Sequence, residues 1–153
     1  MSIANTSLEI IAASATAAFG AQIIKFIVYL LFGKSVDFRT LVHTGGMPSS
    51  HSALVACIAT SAGLIEGFHS PLFAVALGFA VIVMYDAAGL RRAAGKMAGI
   101  LNQLTEDIYM ERQGHVPDRL RELLGHTPFE VIVGAFMGAM IAYVYHYKLT
   151  GGA

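Results

Sequence analysis

Apolar residues gather along the chain in four blocks, each long enough to matter to a membrane. A helix needs roughly 20 mostly apolar residues to cross about 30 Å of hydrocarbon. The first block runs from about Ile10 to Phe32, the second from Pro48 to about Ile65, the third from Pro71 to about Leu90, and the fourth from Thr127 to about Tyr147. The long polar stretch Arg91–Gly125 separates the last two and reads as a helix over Arg91–Leu104 that then loosens. This pattern predicts an all-α, polytopic membrane bundle of about four transmembrane helices, with an extra polar helix and loop between the third and fourth. Residues 1–153 are expected to form one domain. No basic region precedes the first block, so it reads as a span and not as a cleaved signal.

Composition points the same way. Of 153 residues, 56% are apolar and 13% charged, against about 45–50% and about 25% in ordinary soluble domains. Mean hydropathy is +0.63. Ten basic residues balance ten acidic ones, so no basic patch advertises nucleic acid as a partner. A single cysteine, Cys57, excludes an intramolecular disulfide and a cysteine-based zinc site. Small residues recur where spans should touch: Gly134, Gly138 and Ala142 form a row in the last block, and AASATAAFGA fills much of the first. The Gly134/Gly138 face could also pair two copies as a homodimer.

If the four blocks alternate in direction, the Gly33–Met47 and Arg91–Gly125 segments share one membrane side. That side or its border carries Lys34, Arg39, Arg91, Arg92, Lys96, Arg112, Arg119 and Arg121, against Lys148 on the other. The positive-inside rule makes the basic side cytoplasmic.

Two histidines begin blocks on this side. The first lies in Thr44-Gly45-Gly46-Met47-Pro48-Ser49-Ser50-His51-Ser52. Pro48 suits a first helical turn, and the helix N-terminus offers unpaired N–H groups and a positive dipole end to an anion. His51 would sit one turn in, facing that cradle. The second lies in Gly125-His126-Thr127-Pro128-Phe129-Glu130, where His126 and Glu130, four apart, share a helix face. A carboxylate on one imidazole nitrogen fixes the tautomer and leaves the other nitrogen a better base or nucleophile. Thr127 and Glu130 equally form a capping box, and one carboxylate has an oxygen for each duty.

Basic residues could hold the anion: Arg39 ahead of the Gly-Gly turn, Arg91 and Arg92 after the third block, and Lys96 one turn beyond Arg92. Lys25, inside the first block and about two turns from its basic-side end, is costly there and so a functional candidate. His43, His69, His115 and His146 read as interfacial or loop residues, and Arg112, Arg119 and Arg121 as solvated ones. Asp86, Glu106 and Asp107 match no metal-site spacing, so neither a bound metal nor another cofactor is expected.

Gly46-Met47-Pro48-Ser49-Ser50-His51-Ser52 resembles the Pro-Ser-Gly/Ser-His motif of the type-2 phosphatidic acid phosphatase superfamily, which includes vanadium haloperoxidases. His126-x3-Glu130-Val131-x2-Gly134 is similar to its His-x3-Asp-Val-x2-Gly motif, with Glu for Asp. Together with Tyr85-Asp86-Ala87-Ala88-Gly89-Leu90-Arg91-Arg92, these mark a resemblance to the divergent, small-membrane-protein branch of that superfamily, over about Lys25 to Gly138. The resemblance implies a metal-free phosphohydrolase with His126 as nucleophile, Glu130 as its orienter and His51 as general acid to the leaving oxygen. Ser49, Ser50 and basic residues would hold the phosphate. The superfamily's Lys-x6-Arg-Pro has its nearest candidates in Lys25 or Lys34 with Arg39, which no Pro follows, and the arginine expected six residues before His126 is Leu120.

The expectation is therefore a membrane phosphatase of a lipid phosphomonoester or pyrophosphate, such as phosphatidylglycerol phosphate, phosphatidic acid or polyprenyl pyrophosphate. It would sit among membrane lipids in a bacterial cytoplasmic membrane and work at the cytoplasmic face. The alternatives are a phospholipid-binding or transport protein that uses the same cradle without cleavage, and a Mg²⁺-dependent phosphoalcohol transferase built on Asp86. The transferase lacks the clustered aspartates that its chemistry needs.

Overall fold

A computed structural model of the chain describes residues 3–31, 46–112, 120 and 125–151, excepting the side chains at 90–92 and 109–112. The described residues are helical wherever they form regular structure. Helix α1 spans Ser7–Leu31, α2 Ser50–Glu66 and α3 Pro71–Tyr85; a π-helical turn at Asp86–Leu90 leads into α4, Arg91–Arg112, and α5 spans Pro128–Thr150. Among the described residues three stretches are long and apolar enough to cross a bilayer: Ser7–Leu31, Pro71–Ile108, which runs from α3 through the π turn into α4, and Pro128–Thr150. The 17 residues of α2 reach only about 25 Å at about 1.5 Å per residue. This is the all-helical membrane bundle that the hydropathy pattern predicts.

Local chemistry sets the helix starts. Ser70 caps α3, its hydroxyl accepting from Phe73 N–H at 3.2 Å, with Pro71 in the first turn. Thr127 caps α5 in a complete capping box with Glu130. Ser49, not Pro48, opens α2: with φ −73° and ψ 115° it is the N-cap. Pro48 thus precedes the helix, and His51 is its second residue, closer to the N-terminus than the one-turn expectation. At the far end of α5, Gly151 takes the left-handed conformation (φ 76°) that ends the helix.

The least exposed helix is α2, which packs against α1, α3 and α5; α1 also packs on α5. The core is made of small side chains: Ala13, Ala17 and Ala21 of α1 meet Ala53 and Cys57 of α2 and Ala142 of α5. Without water to drive association, close backbone approach supplies the contact energy. Gly134 and Gly138 belong to this packing. A Cβ on Gly134 would overlap the Ser49 carbonyl, and one on Gly138 the Ala53 carbonyl. The row is thus taken up by α2 within the chain, and the homodimer face expected there would need α2 displaced. Large apolar side chains such as Phe19, Ile23, Ile82 and Phe136 point outward, where a bilayer and not water would meet them.

Two further differences concern the third block and the polar stretch. α-Helical geometry stops at Tyr85 and slips into the π turn before the block ends. The helix after it runs to Arg112, beyond the expected end at Leu104.

Candidate active site

One end of the bundle collects the ends of four elements. The Ser49 N–H, at the start of α2, donates to the Glu130 carbonyl of α5 at 3.2 Å. The His126 N–H donates to the Ala87 carbonyl of the π turn at 3.0 Å. A ladder slip of this kind is a common feature of functional sites, and here it lies directly against the residue that begins α5. Lys25 of α1, 2% exposed, lies within electrostatic reach of both Glu130 and His126. His51 is within reach of His126 as well. The two imidazoles, 75 positions apart in the chain, therefore share one end and one cluster.

His126 is the centre of this group. Gly125 supplies the turn ahead of it with φ 98°, a conformation that favours glycine. The ring is 2% exposed. Its Nδ1 lies 3.3 Å from Glu130 Oε2, while Nε2 is buried with no hydrogen-bond partner among the described residues. An ionised carboxylate can only accept, so a neutral ring bonded to it carries its proton on Nδ1 and its lone pair on Nε2. Burial, followed by the charge of Lys25, lowers the His126 pKa; the hydrogen bond and charge of Glu130 oppose this, and His51 lowers it further. The balance of these influences favours the neutral ring.

Both contacts foreseen for Glu130 are present, but one oxygen makes them where one for each was expected. Oε2 faces His126 Nδ1 and also accepts from Thr127 N–H at 2.9 Å.

Around the ring the electrostatics favour an anion. The N-termini of α2 and α5 bring two positive dipole ends to the same place, and the buried Lys25 side chain lies within reach of it. Ser49 is fully buried; its hydroxyl accepts from Ser52 N–H at 3.4 Å and from the Ser52 hydroxyl at 3.0 Å. It therefore acts first as the cap of α2. Ser50 is buried in the first turn, and His51 is exposed beside it. Gly46, with φ 91°, lies against Tyr29, whose hydroxyl oxygen would be 2.9 Å from an added Cβ.

Of the other candidate anion ligands, Lys96 alone falls among the described side chains. Lys96 is exposed on α4, whose main packing is on the π turn, and no described contact ties it to the histidines. Arg91 and Arg92 open α4 directly after that turn, but their side chains lie outside the described residues, as do Arg39 and Lys34. His43, His115, Arg112, Arg119 and Arg121 are also outside them. Among the described residues no three His, Cys, Asp or Glu side chains group as metal ligands.

The sequence reading missed the Ala87 carbonyl and the distant pairing of His146. Small residues at Ala87-Ala88-Gly89 were the available signal for close backbone approach at the first. His146 pairs its Nδ1 with Oε1 of the buried Glu9 at 2.8 Å. This joins the start of α1 to the end of α5 at the opposite end of the bundle. No local spacing signals a pair 137 positions apart.

The helices and the cluster define an integral membrane protein with a histidine–carboxylate pair at one end of its bundle. The chain belongs to the Divergent PAP2 family, which matches residues 6–141. It is 39% identical over 137 residues, 83% of this chain and 87% of the relative, to the "Uncharacterized membrane protein YuiD" of Bacillus subtilis (strain 168). No solved structure matches the chain.

Proposed function

We propose that the protein is a lipid phosphate phosphatase that works through a phosphohistidine on His126. The reading is carried by the buried Nε2 of His126, left without a partner among the described residues while Nδ1 is held by Glu130. Phosphoryl transfer needs alignment and charge stabilisation above all. Lys25, Ser50 and the amide ends of α2 and α5 supply positive potential and donors for the equatorial oxygens. Membership of the Divergent PAP2 family supports a phosphatase-related role.

In the first step the Nε2 lone pair attacks phosphorus, and the bond from phosphorus to the leaving oxygen breaks. The protonated His51 gives its proton to that oxygen, releasing an alcohol or, from a pyrophosphate, a phosphate. In the second step water attacks the phosphohistidine, and the P–Nε2 bond breaks. His51, now neutral, takes the water's proton, and inorganic phosphate leaves. Glu130 keeps its contact with Nδ1 throughout and stabilises the positive charge that the ring gains on phosphorylation.

The substrate class follows from position. His126 bonds to Ala87, one turn before the charged Arg91 and Arg92 that open α4, and charged residues directly after an apolar span favour the membrane boundary, so the cluster lies near headgroup level with a substrate's acyl chains still in the bilayer. Phosphatidic acid, phosphatidylglycerol phosphate and polyprenyl pyrophosphate meet that requirement. The basic residues flanking this end favour the cytoplasmic face of a bacterial cytoplasmic membrane.

The test is phosphate release by the purified protein in detergent from a panel of lipid phosphates, run with chelator and with Mg²⁺. Release in chelator, lost by orders of magnitude in His126→Ala and His51→Ala, is the expected result. Lipid binding that survives His126→Ala, with no release from any substrate, would replace the enzyme with a binding or transport protein. Activity abolished by chelator alone would replace the histidine mechanism with a metal-dependent one.

A further inference from the structure

α4 carries a feature that its polar composition conceals. Met97, Ile100, Leu101, Leu104 and Ile108 are each between 51% and 63% exposed. Their spacing puts them on one stripe about 100° wide. A different face, holding Gly95, Ala98 and Asn102, is buried. The Asn102 side chain clasps the Leu120 peptide there, donating to its carbonyl at 2.9 Å and accepting from its N–H at 2.8 Å. The chain thus packs on α4 away from the apolar stripe. Lys96, Gln103 and Asp107 are exposed on the remaining face.

The stripe is also a continuation. From the outward side of α3, Ile82 and Tyr85 are followed at helical steps by Gly89, Ala93 and Met97, all exposed. An apolar row that faces lipid on α3 therefore runs unbroken through the π turn onto α4. Pro71–Leu90 is about 30 Å long at about 1.5 Å per residue, which puts Arg91 and Arg92 at the bilayer boundary, where α4 begins. Amphipathic helices of low mean hydropathy, with a charged face opposing an apolar one, lie in the plane of that boundary.

We propose that α4 is an interfacial helix, seated on a phospholipid surface with Met97, Ile100, Leu101, Leu104 and Ile108 dipped among the upper acyl chains. Its continuity with the lipid-facing row of α3 selects the bilayer over a protein partner. The seating holds the π turn, and with it the Ala87–His126 hydrogen bond, at headgroup depth. It is independent of whether the cluster hydrolyses anything.

The chain contains no tryptophan, so a single introduced indole reports its own surroundings. Leu101→Trp and Gln103→Trp variants of the full chain would be reconstituted in phosphatidylcholine–phosphatidylglycerol vesicles. Brominated acyl chains and aqueous acrylamide serve as the two quenchers. The expected result is several-fold stronger quenching of Leu101→Trp by brominated lipid than by acrylamide, at a depth of roughly 5–10 Å, with the preference reversed in Gln103→Trp. Acrylamide quenching of both variants alike would overturn the proposal. So would a Leu101→Trp indole shielded from both quenchers, with shielding that rises with protein density, because a second copy would then cover the stripe. Leu104→Trp reads the same face should Leu101→Trp fail to fold.

Discussion

Replacing Glu130 by Gln separates the two duties of this side chain. Gln remains a good partner in the capping box, since its amide oxygen can still accept from Thr127 N–H, bonded at 2.9 Å in the native chain. The start of α5 should therefore survive. The contact with His126 loses its charge. Oε2 alone meets both Thr127 N–H and Nδ1 in the native chain, so an amide oxygen in its place can accept from both and keep the ring proton on Nδ1. What is lost is the carboxylate's stabilisation of the positive ring that phosphorylation creates. A hydrogen bond to a charged group contributes about 1.5–3 kcal/mol, or about 10- to 100-fold in rate at about 1.36 kcal/mol per tenfold. The 3.3 Å separation here is longer than an ideal bond, so the expected loss of phosphate release lies at the lower end, about 10-fold. Nitrogen-15 NMR of the imidazoles should show the Nδ1–H tautomer unchanged. Phosphate release equal to that of the native protein would refute the role given to this carboxylate.

Gly138→Ala should destabilise the protein by about 1–3 kcal/mol, because its new methyl meets the Ala53 carbonyl; Gly78→Ala, with open space around it, should be neutral or stabilising in the same detergent melt. Equal effects of the two would show that α2 and α5 are not packed this closely. Acidification should weaken both activity and stability through His126. Its folded pKa lies below the ordinary 6.5, so the unfolded chain takes up the proton first, and stability is full above that value and falls as pH drops below it. An acid limb of kcat/KM that begins well above 6.5 would assign the titration elsewhere. Glu9→Gln removes a 2.8 Å carboxylate–imidazole contact with His146 and should cost about 1.5–3 kcal/mol with little change in specific activity, since the pair lies at the opposite end of the bundle. A large drop in activity without destabilisation would contradict that separation.

Hydropathy made the bundle legible because span length is a local property, and capping chemistry made the start of α5 legible because Thr127 and Glu130 act within one turn. The start of α2 was displaced by two residues: Ser49 and Pro48 both suit a helix start, and the cap is decided by which N–H groups its hydroxyl can reach. The two histidines were legible as motif residues. Their meeting, by contrast, depends on the Ser49–Glu130 and His126–Ala87 backbone bonds, which pair residues far apart in sequence and leave no periodic trace. Gly134 and Gly138 announced close packing without naming the partner, since a small-residue row suits α2 and a second copy equally. The extension of α4 past Leu104 was hidden by its charges. Its apolar stripe is a matter of spacing, and average polarity does not register spacing.

The most direct test is to look for the covalent intermediate on His126. The protein would be mixed with a lipid phosphate labelled at phosphorus and quenched in alkali within the first turnover, and the label would then be mapped. A phosphohistidine is stable in alkali and lost in acid, and it should map to residue 126 and vanish in His126→Ala. Label on another residue, or undiminished phosphate release from His126→Ala with no labelled protein, would contradict the central role given to this ring.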